Sequence, residues 1–275
     1  MSDQQHAATR GRGTPEDPAP APTAQGVRPA RPHTGLTADG RRVREVLSYT
    51  RRGSRMGPRM EQAWARHRDR WWIPDESVEE PGLDLRALFG RDAPLIVEVG
   101  CGVGEATAAL AAARPACDIL GIEVWLPGVA DTFHRLEQVG ADNVRMLSVD
   151  AAWSLQHLLG PGSVTELWTF FPDPWPKTRH RRRRLVGPGF ASLAASRLVP
   201  GGRWRLATDW ADYADQMQQV IDAEPLLENV HGGPAPRWSE RPVTRFERRG
   251  LAAGRAVVDL TYRRVPTRFD QPAGL

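Results

Sequence analysis

Carboxylates beside short apolar runs are the residues in this chain with the clearest chemical potential. Glu98 sits inside Leu95-Ile-Val-Glu-Val99, just ahead of Gly100-Cys-Gly-Val-Gly104. Glu123 follows Ile119-Leu-Gly-Ile, Asp150 closes Val144-Arg-Met-Leu-Ser-Val, and Asp209 closes Trp204-Arg-Leu-Ala-Thr. A fifth acid, Asp173, stands between two prolines in Phe171-Pro-Asp-Pro-Trp175, directly after another apolar run. An acid at the tip of a buried strand can accept hydrogen bonds from the hydroxyls and amines of a nucleoside, or attract a cation.

The glycines narrow the ligand. A strand, a glycine turn and a helix N-terminus in that order bring backbone N–H groups close to a nucleotide-like molecule. Here Gly100, Gly102 and Gly104 are spaced Gly-x-Gly-x-Gly rather than Gly-x-Gly-x-x-Gly, so the turn differs from the pyrophosphate cradle of dinucleotide enzymes. Glu98 would repel a pyrophosphate but attract a cationic amino acid end. Both features favour S-adenosylmethionine as cofactor and make a nicotinamide-dependent dehydrogenase the least consistent reading. Glu123 falls about 20 residues beyond the turn, where a doubly wound fold places a carboxylate for ribose hydroxyls. Alternatives stay open for three of the acids. Glu98 could accept backbone hydrogen bonds at the turn, Asp150 could cap a helix rather than an adenine amine, and Asp209 could cap a helix or reach the crevice. Around Asp173, three prolines (172, 174 and 176) stiffen the backbone where a strand end should border the ligand crevice, which marks Pro-Asp-Pro-Trp as the candidate active-site loop.

Charge is unevenly spread. Residues 92–173 hold 11 acids against 3 arginines, whereas 41–72 hold 10 arginines against 3 acids, 177–184 hold six bases and no acid, and 237–268 hold 9 arginines against 3 acids. An acidic cofactor region between basic segments suggests a polyanionic partner such as RNA. Of 37 basic residues, 36 are arginine and the one lysine is Lys177. That bias points to a position needing a compact ammonium where a planar fork will not serve, with chance retention as the alternative. Two cysteines, Cys101 and Cys117, offer neither a disulfide framework nor a metal cluster. No apolar run reaches membrane-spanning length, so a cytoplasmic protein with no membrane or metal partner is expected.

These residues need an α/β scaffold. Residues 1–40, rich in Pro and Ala, are expected to be disordered, 41–268 to form one domain, and 269–275 a flexible tail. Strands are expected at 95–99, 119–124, 144–150, 167–171 and 204–209. Helices should follow at 105–114, 127–139, 152–159, 190–198 and 213–221, and a late strand at 256–262 should close an antiparallel edge hairpin. Ahead of the core, Pro58-Arg-Met-Glu-Gln-Ala-Trp reads as a helix whose tryptophans pack inward and whose arginines face out.

Phe171-Pro-Asp-Pro-Trp175, the Arg/His run behind it, Ala207-Thr-Asp-Trp210 and Val243-Thr-Arg-Phe-Glu-Arg-Arg-Gly250 together resemble the bacterial tRNA (guanine-N7)-methyltransferases, over roughly 49–265. The resemblance implies a Rossmann-like class I methyltransferase with a mostly parallel seven-stranded sheet, S-adenosylmethionine as donor, tRNA as partner, and a monomer or weak homodimer. It implies cofactor contacts at Glu98, Gly100, Gly102, Glu123, Asp150 and Asp173, with Asp173 also catalytic. Substrate contacts are implied at Lys177, Asp209, Thr244, Arg245, Phe246 and Glu247, and RNA contacts at Arg179, His180, Arg181, Arg182, Arg183 and Arg184. Pro176 departs from the polar residue expected before the lysine, and the long N-terminal extension is a second departure. An exocyclic-amine RNA methylase and a nonenzymatic RNA-binding protein on the same scaffold are the competing readings.

Overall fold

Strands β1 (Leu95–Val99) and β2 (Asp118–Ile122) are buried at every position, so they appear in the sequence as nearly unbroken apolar runs rather than alternating ones. They lie side by side in the sheet of the computed structural model, which describes residues 48–49, 53, 55–74, 77, 82–267 and 270. The expected disordered extension, and the tail apart from Asp270, lie outside those residues.

The sheet is completed by β3 (Val144–Leu147), β4 (Val164–Phe170), β5 (Leu198–Thr208), β6 (Leu227–Asn229) and β7 (Val258–Arg264), in the order β3-β2-β1-β4-β5-β7-β6. The first five strands pair in parallel, and β7 is antiparallel to both β5 and β6. This is the expected Rossmann-like arrangement with an antiparallel C-terminal edge, although β7 lies inside and the three-residue β6 forms the rim. So short a strand carries no periodicity to be read. β5 is also longer than expected, because it runs through Pro200-Gly-Gly202 instead of starting after it. A side chain at Gly202 would meet the Thr165 carbonyl at 3.0 Å, so a glycine is what lets the register shift there be accommodated.

Eight helices were found among the described residues: α1 (Pro58–Trp71), α2 (Leu85–Phe89), α3 (Glu105–Ala113), α4 (Leu126–Val139), α5 (Ala151–Leu158), α6 (Pro188–Arg197), α7 (Ala211–Asp222) and α8 (Arg245–Ala252). They cover both faces of the sheet and bury two apolar layers. One gathers α5, α6 and α7 against the sheet, the other α1, α3 and α4. None is long and apolar enough to cross a membrane.

α1 packs as expected through its tryptophans. Phe133 of α4 lies 5.6 Å from the Trp64 ring and 5.8 Å from Trp71. Its arginines, Arg59, Arg66, Arg68 and Arg70, are exposed as expected, yet three of them also find acidic partners. Arg59 pairs with Asp131, Arg66 with Glu137 and Arg70 with Asp142, so the acids of α4 and its C-terminal loop take up much of the basic charge of this segment. Beyond α1, Ile73 N–H donates to the Met146 carbonyl (2.9 Å), laying the chain along β3 and covering that sheet edge. Removing the ring that both tryptophans share should detach α1: Phe133→Ala is expected to cost about 3–5 kcal/mol, read as a lower urea midpoint with an unchanged m-value.

Candidate active site

The glycine turn between β1 and α3 is left-handed at all three glycines, with φ of +78° at Gly100, +61° at Gly102 and +73° at Gly104. L side chains rarely adopt such angles, so glycine is required here by the backbone before any ligand is considered. The turn is held closed from two sides. Gly100 N–H donates to the Ile122 carbonyl (2.8 Å), and Gly128 of α4 lies so close to the Gly102 carbonyl that any side chain there would overlap it.

Two carboxylates lie at this turn. Glu123, one residue beyond β2, accepts from Gly102 N–H (2.7 Å) and Trp125 N–H (2.8 Å), tying the glycine turn to the start of α4. Glu98 is 2 % exposed and accepts from the Thr107 hydroxyl (2.6 Å). Burial pushes its carboxyl up to about 7, the Thr107 hydrogen bond opposes that, and neighbouring Glu123 adds to it. A buried, half-protonated carboxyl next to a second one is a site that a cation would stabilise, which fits the cationic end of S-adenosylmethionine.

Across the same cleft stands the loop after β4. Pro172, Asp173, Phe170 and Phe171 line it together with Glu98, Gly100, Gly102, Glu123, Thr244 and Phe246. The loop's shape is unusual. Phe171 and Trp175 both have positive φ, +52° and +42°, and they bracket Asp173. Each such residue costs about 1–3 kcal/mol and persists only where its surroundings over-determine it. Those surroundings are visible. The buried Arg241 guanidinium lies 5.3 Å from the Phe171 ring, and Phe171 N–H donates to the Ala207 carbonyl (2.7 Å). The Trp175 indole donates to the Ser48 carbonyl (2.9 Å), and Arg183 stacks over that indole at 3.6 Å while donating to the Tyr49 carbonyl.

The remaining expected residues divide. Asp150 caps α5, accepting from Trp153 N–H (3.1 Å), while its neighbours Val149 and Ala151 line the cleft. Lys177 is exposed, with no ion pair among the described residues, at the start of a 3-10 helix (Thr178–Arg183). Arg179 and Arg182 are exposed beside it, His180 packs edge-on to Trp175, and Arg181 pairs with Asp212. Three residues face away from the expected partner. Arg184 is buried behind the loop, so it is not part of the exposed basic surface. Asp209 neither caps α7, whose N-cap is Trp210, nor lines the cleft; it pairs with Arg255 (2.7 Å) and packs against Gly250 of α8. Glu247 is buried between Arg237 (2.8 Å) and Arg241 (2.7 Å); burial pushes it up, but the two arginines outweigh this and hold it below the usual carboxylate range.

Sequence reasoning missed Glu105. At the first position of α3 it accepts from Arg245 N–H (2.5 Å) and from Arg248 (3.0 Å), clamping α8 over the glycine turn so that Phe246 reaches Gly102. An acid in a first helical turn is so ordinary that nothing marked it. Ser48 and Tyr49 line the cleft mouth, where their backbone carbonyls receive the Trp175 indole and Arg183, contacts that side-chain type does not announce.

A family model described as "Putative methyltransferase" matches residues 92–260, more than half of the chain. A tRNA (guanine-N(7)-)-methyltransferase of Nocardioides sp. is 64% identical over 245 residues, covering 89% of this chain and 98% of its own. The enzyme of the same name from Cutibacterium acnes is 49% identical over 270 residues, covering 90% and 98%. This chain belongs to the tRNA (guanine-N7)-methyltransferase family. Among solved structures, the 16S rRNA methyltransferase KamB is 18% identical with a TM-score of 0.48, covering 68% of this chain and 96% of that one. Family membership makes S-adenosylmethionine the methyl donor, in line with the acidic turn. Among the described residues no group of three or more side chains could hold a metal.

Because the folded-state pKa of Glu98 is raised from 4.5 to about 7, its linkage has a definite sign. The ligand-free protein is favoured below the unfolded value and loses that contribution as pH rises through 7. A cationic ligand instead needs the carboxylate, so S-adenosylmethionine affinity should climb about tenfold per pH unit below 7 and level off above it. Calorimetric titrations across that range should give this slope, and Glu98→Gln should bind more weakly with a flat profile.

Proposed function

We propose that this cleft transfers the methyl group of S-adenosylmethionine to N7 of a guanine in tRNA, the guanine being presented by the variable loop and the reaction taking place in the cytoplasm. The observation that carries the reading is that Asp173, on a proline-stiffened and doubly strained loop, shares one cleft with the acidic glycine turn. The family relationship supports it.

S-adenosylmethionine supplies a sulfonium-bound methyl, and N7 takes it with an in-plane lone pair that carries no proton. No general base is therefore needed, and what this chain contributes is alignment and charge. Glu98 holds the cationic amino end beneath the turn. Glu123, tied to the glycine turn and to the start of α4 and lining the cleft, bonds the ribose hydroxyls. Asp150 has one oxygen in the α5 cap and the other for an adenine amine. Asp173 accepts from the Watson–Crick N–H groups of the guanine, orienting N7 toward the donor and favouring the positive charge that develops on the ring. Thr244 and Phe246 flank the base, since both line the cleft.

Outside the cleft, Lys177, Arg179 and Arg182 offer charges to tRNA phosphates, and the compact Lys177 ammonium fits at the loop's edge where a fork would crowd the prolines. Asp209 and Glu247 act from behind α8, keeping it seated, rather than by touching substrate.

Incubation with unmodified tRNA and S-adenosylmethionine should yield 7-methylguanosine by nucleoside mass spectrometry, together with a borohydride-labile site in the chain. Methylation on an exocyclic amine would replace this reading. Asp173→Asn, which keeps the shape but removes the charge, should lower kcat by roughly 100-fold; unchanged turnover would remove Asp173 from the mechanism.

A further inference from the structure

The six bases of 177–184 read in sequence as one RNA-facing tongue, but the last turns inward. The Arg184 side chain is 1% exposed. Its Nε donates to the Pro174 carbonyl (2.8 Å), its Nη1 to Gln216 Oε1 (2.7 Å) and its Nη2 to Asp212 Oδ1 (2.7 Å). The guanidinium plane also lies 4.7 Å from the Tyr213 ring, and Tyr213 is itself fixed by accepting Val186 N–H at 3.1 Å. Asp212, Tyr213 and Gln216 on the first turns of α7 thus form a cage for one guanidinium, whose remaining edge grips the residue after Asp173.

Why the loop needs such a grip follows from its composition. Pro172, Pro174 and Pro176 have no N–H, so this stretch cannot hold itself by ordinary backbone hydrogen bonds, and its carbonyls are the handles left. The positive φ at Phe171 and Trp175 adds a tendency to relax. From this we propose that Arg184 is a positioning residue for methyl transfer: it sets the orientation of the Asp173 carboxylate through the Pro174 carbonyl, and it makes no contact with RNA. The proposal rests on the reading of Asp173 given above.

Arginine is specifically required. A lysine ammonium carries its donors on one atom and cannot span Pro174, Asp212 and Gln216 together, whereas at a phosphate contact lysine would keep the charge and most of the affinity. Arg184→Lys therefore separates the two roles.

The experiment compares wild type, Arg184→Lys, Gln216→Ala and Arg182→Ala for kcat, KM and tRNA affinity over a range of salt concentrations. Folding is checked by melting temperature and S-adenosylmethionine affinity. Arg184→Lys should lose about 10- to 100-fold in kcat, as misplacement of a reacting group by about 1 Å would produce, with tRNA affinity and its salt slope unchanged. Gln216→Ala, which removes one wall of the cage, should lower kcat in the same direction by less, and it decides the matter if the lysine variant does not fold. Arg182→Ala should instead weaken tRNA binding and flatten the salt slope by about one phosphate contact. Wild-type kcat in Arg184→Lys, or in Gln216→Ala where only that variant folds, overturns the proposal. So does a loss of tRNA affinity with a flatter salt slope and intact kcat. If the wild type makes no 7-methylguanosine, the functional reading itself fails, which is a distinct result.

Discussion

A loop with three prolines in five residues cannot shape itself, and the site depends on how this one is held from outside. The 172–176 backbone offers few donors, yet it must keep Asp173 aimed across the cleft with an unfavourable φ on either side. Side chains supply the constraint. Arg241 packs against the ring of Phe171 at the loop's start, Arg184 grips the Pro174 carbonyl in the middle, and Trp175 is clamped between Arg183 and the Ser48 carbonyl at the end. Two of the three arginines are buried, and each has its charge answered by carboxylates: Arg241 by Glu247 and Asp259, Arg184 by Asp212. An ion pair so placed is poor evidence of stability, because desolvation offsets much of the attraction. Its value here is directional, since a planar fork with several partners has one orientation.

The opposite wall of the cleft is organised by the same economy of contacts. Glu123 bonds the glycine turn and the start of α4 at once, Glu105 bonds the start of α3 to α8, and Gly128 allows α4 to close on the Gly102 carbonyl. Three segments far apart in sequence therefore meet at one turn. The buried Glu98 beneath it has one side-chain donor among the described residues, Thr107, and a like-charged neighbour, a state that a cationic ligand relieves.

Arginine does several jobs in this chain, and net charge by segment does not separate them. Arg59, Arg66 and Arg70 bind α1 to the acids of α4 and its flank, Arg114 joins Glu166 to Glu240, and Arg184 and Arg241 stand inside. Lys177, Arg179, Arg181 and Arg182 are the exposed bases of the tongue after β4, and Arg181 is already paired with Asp212. A basic run in sequence thus yields an electrostatic surface only after internal partners have taken their share.

The sequence by itself determined the parts whose physics is local. Buried parallel strands appear as apolar runs, left-handed turns demand glycine, and prolines declare rigidity, so β1 to β5, the Gly100–Gly104 turn and the Asp173 loop were all legible. Asp150 was legible down to its two possible roles. What only the tertiary structure decided concerns partners distant along the chain. That Arg184 and Glu247 face inward, that Asp209 meets Arg255, that Glu105 latches α8 and that Ser48 receives the Trp175 indole all depend on which surfaces the fold brings together. A side chain's type fixes what bonds it can make, but burial and the nearest opposite charge choose among them, and both are properties of packing rather than of neighbours in sequence.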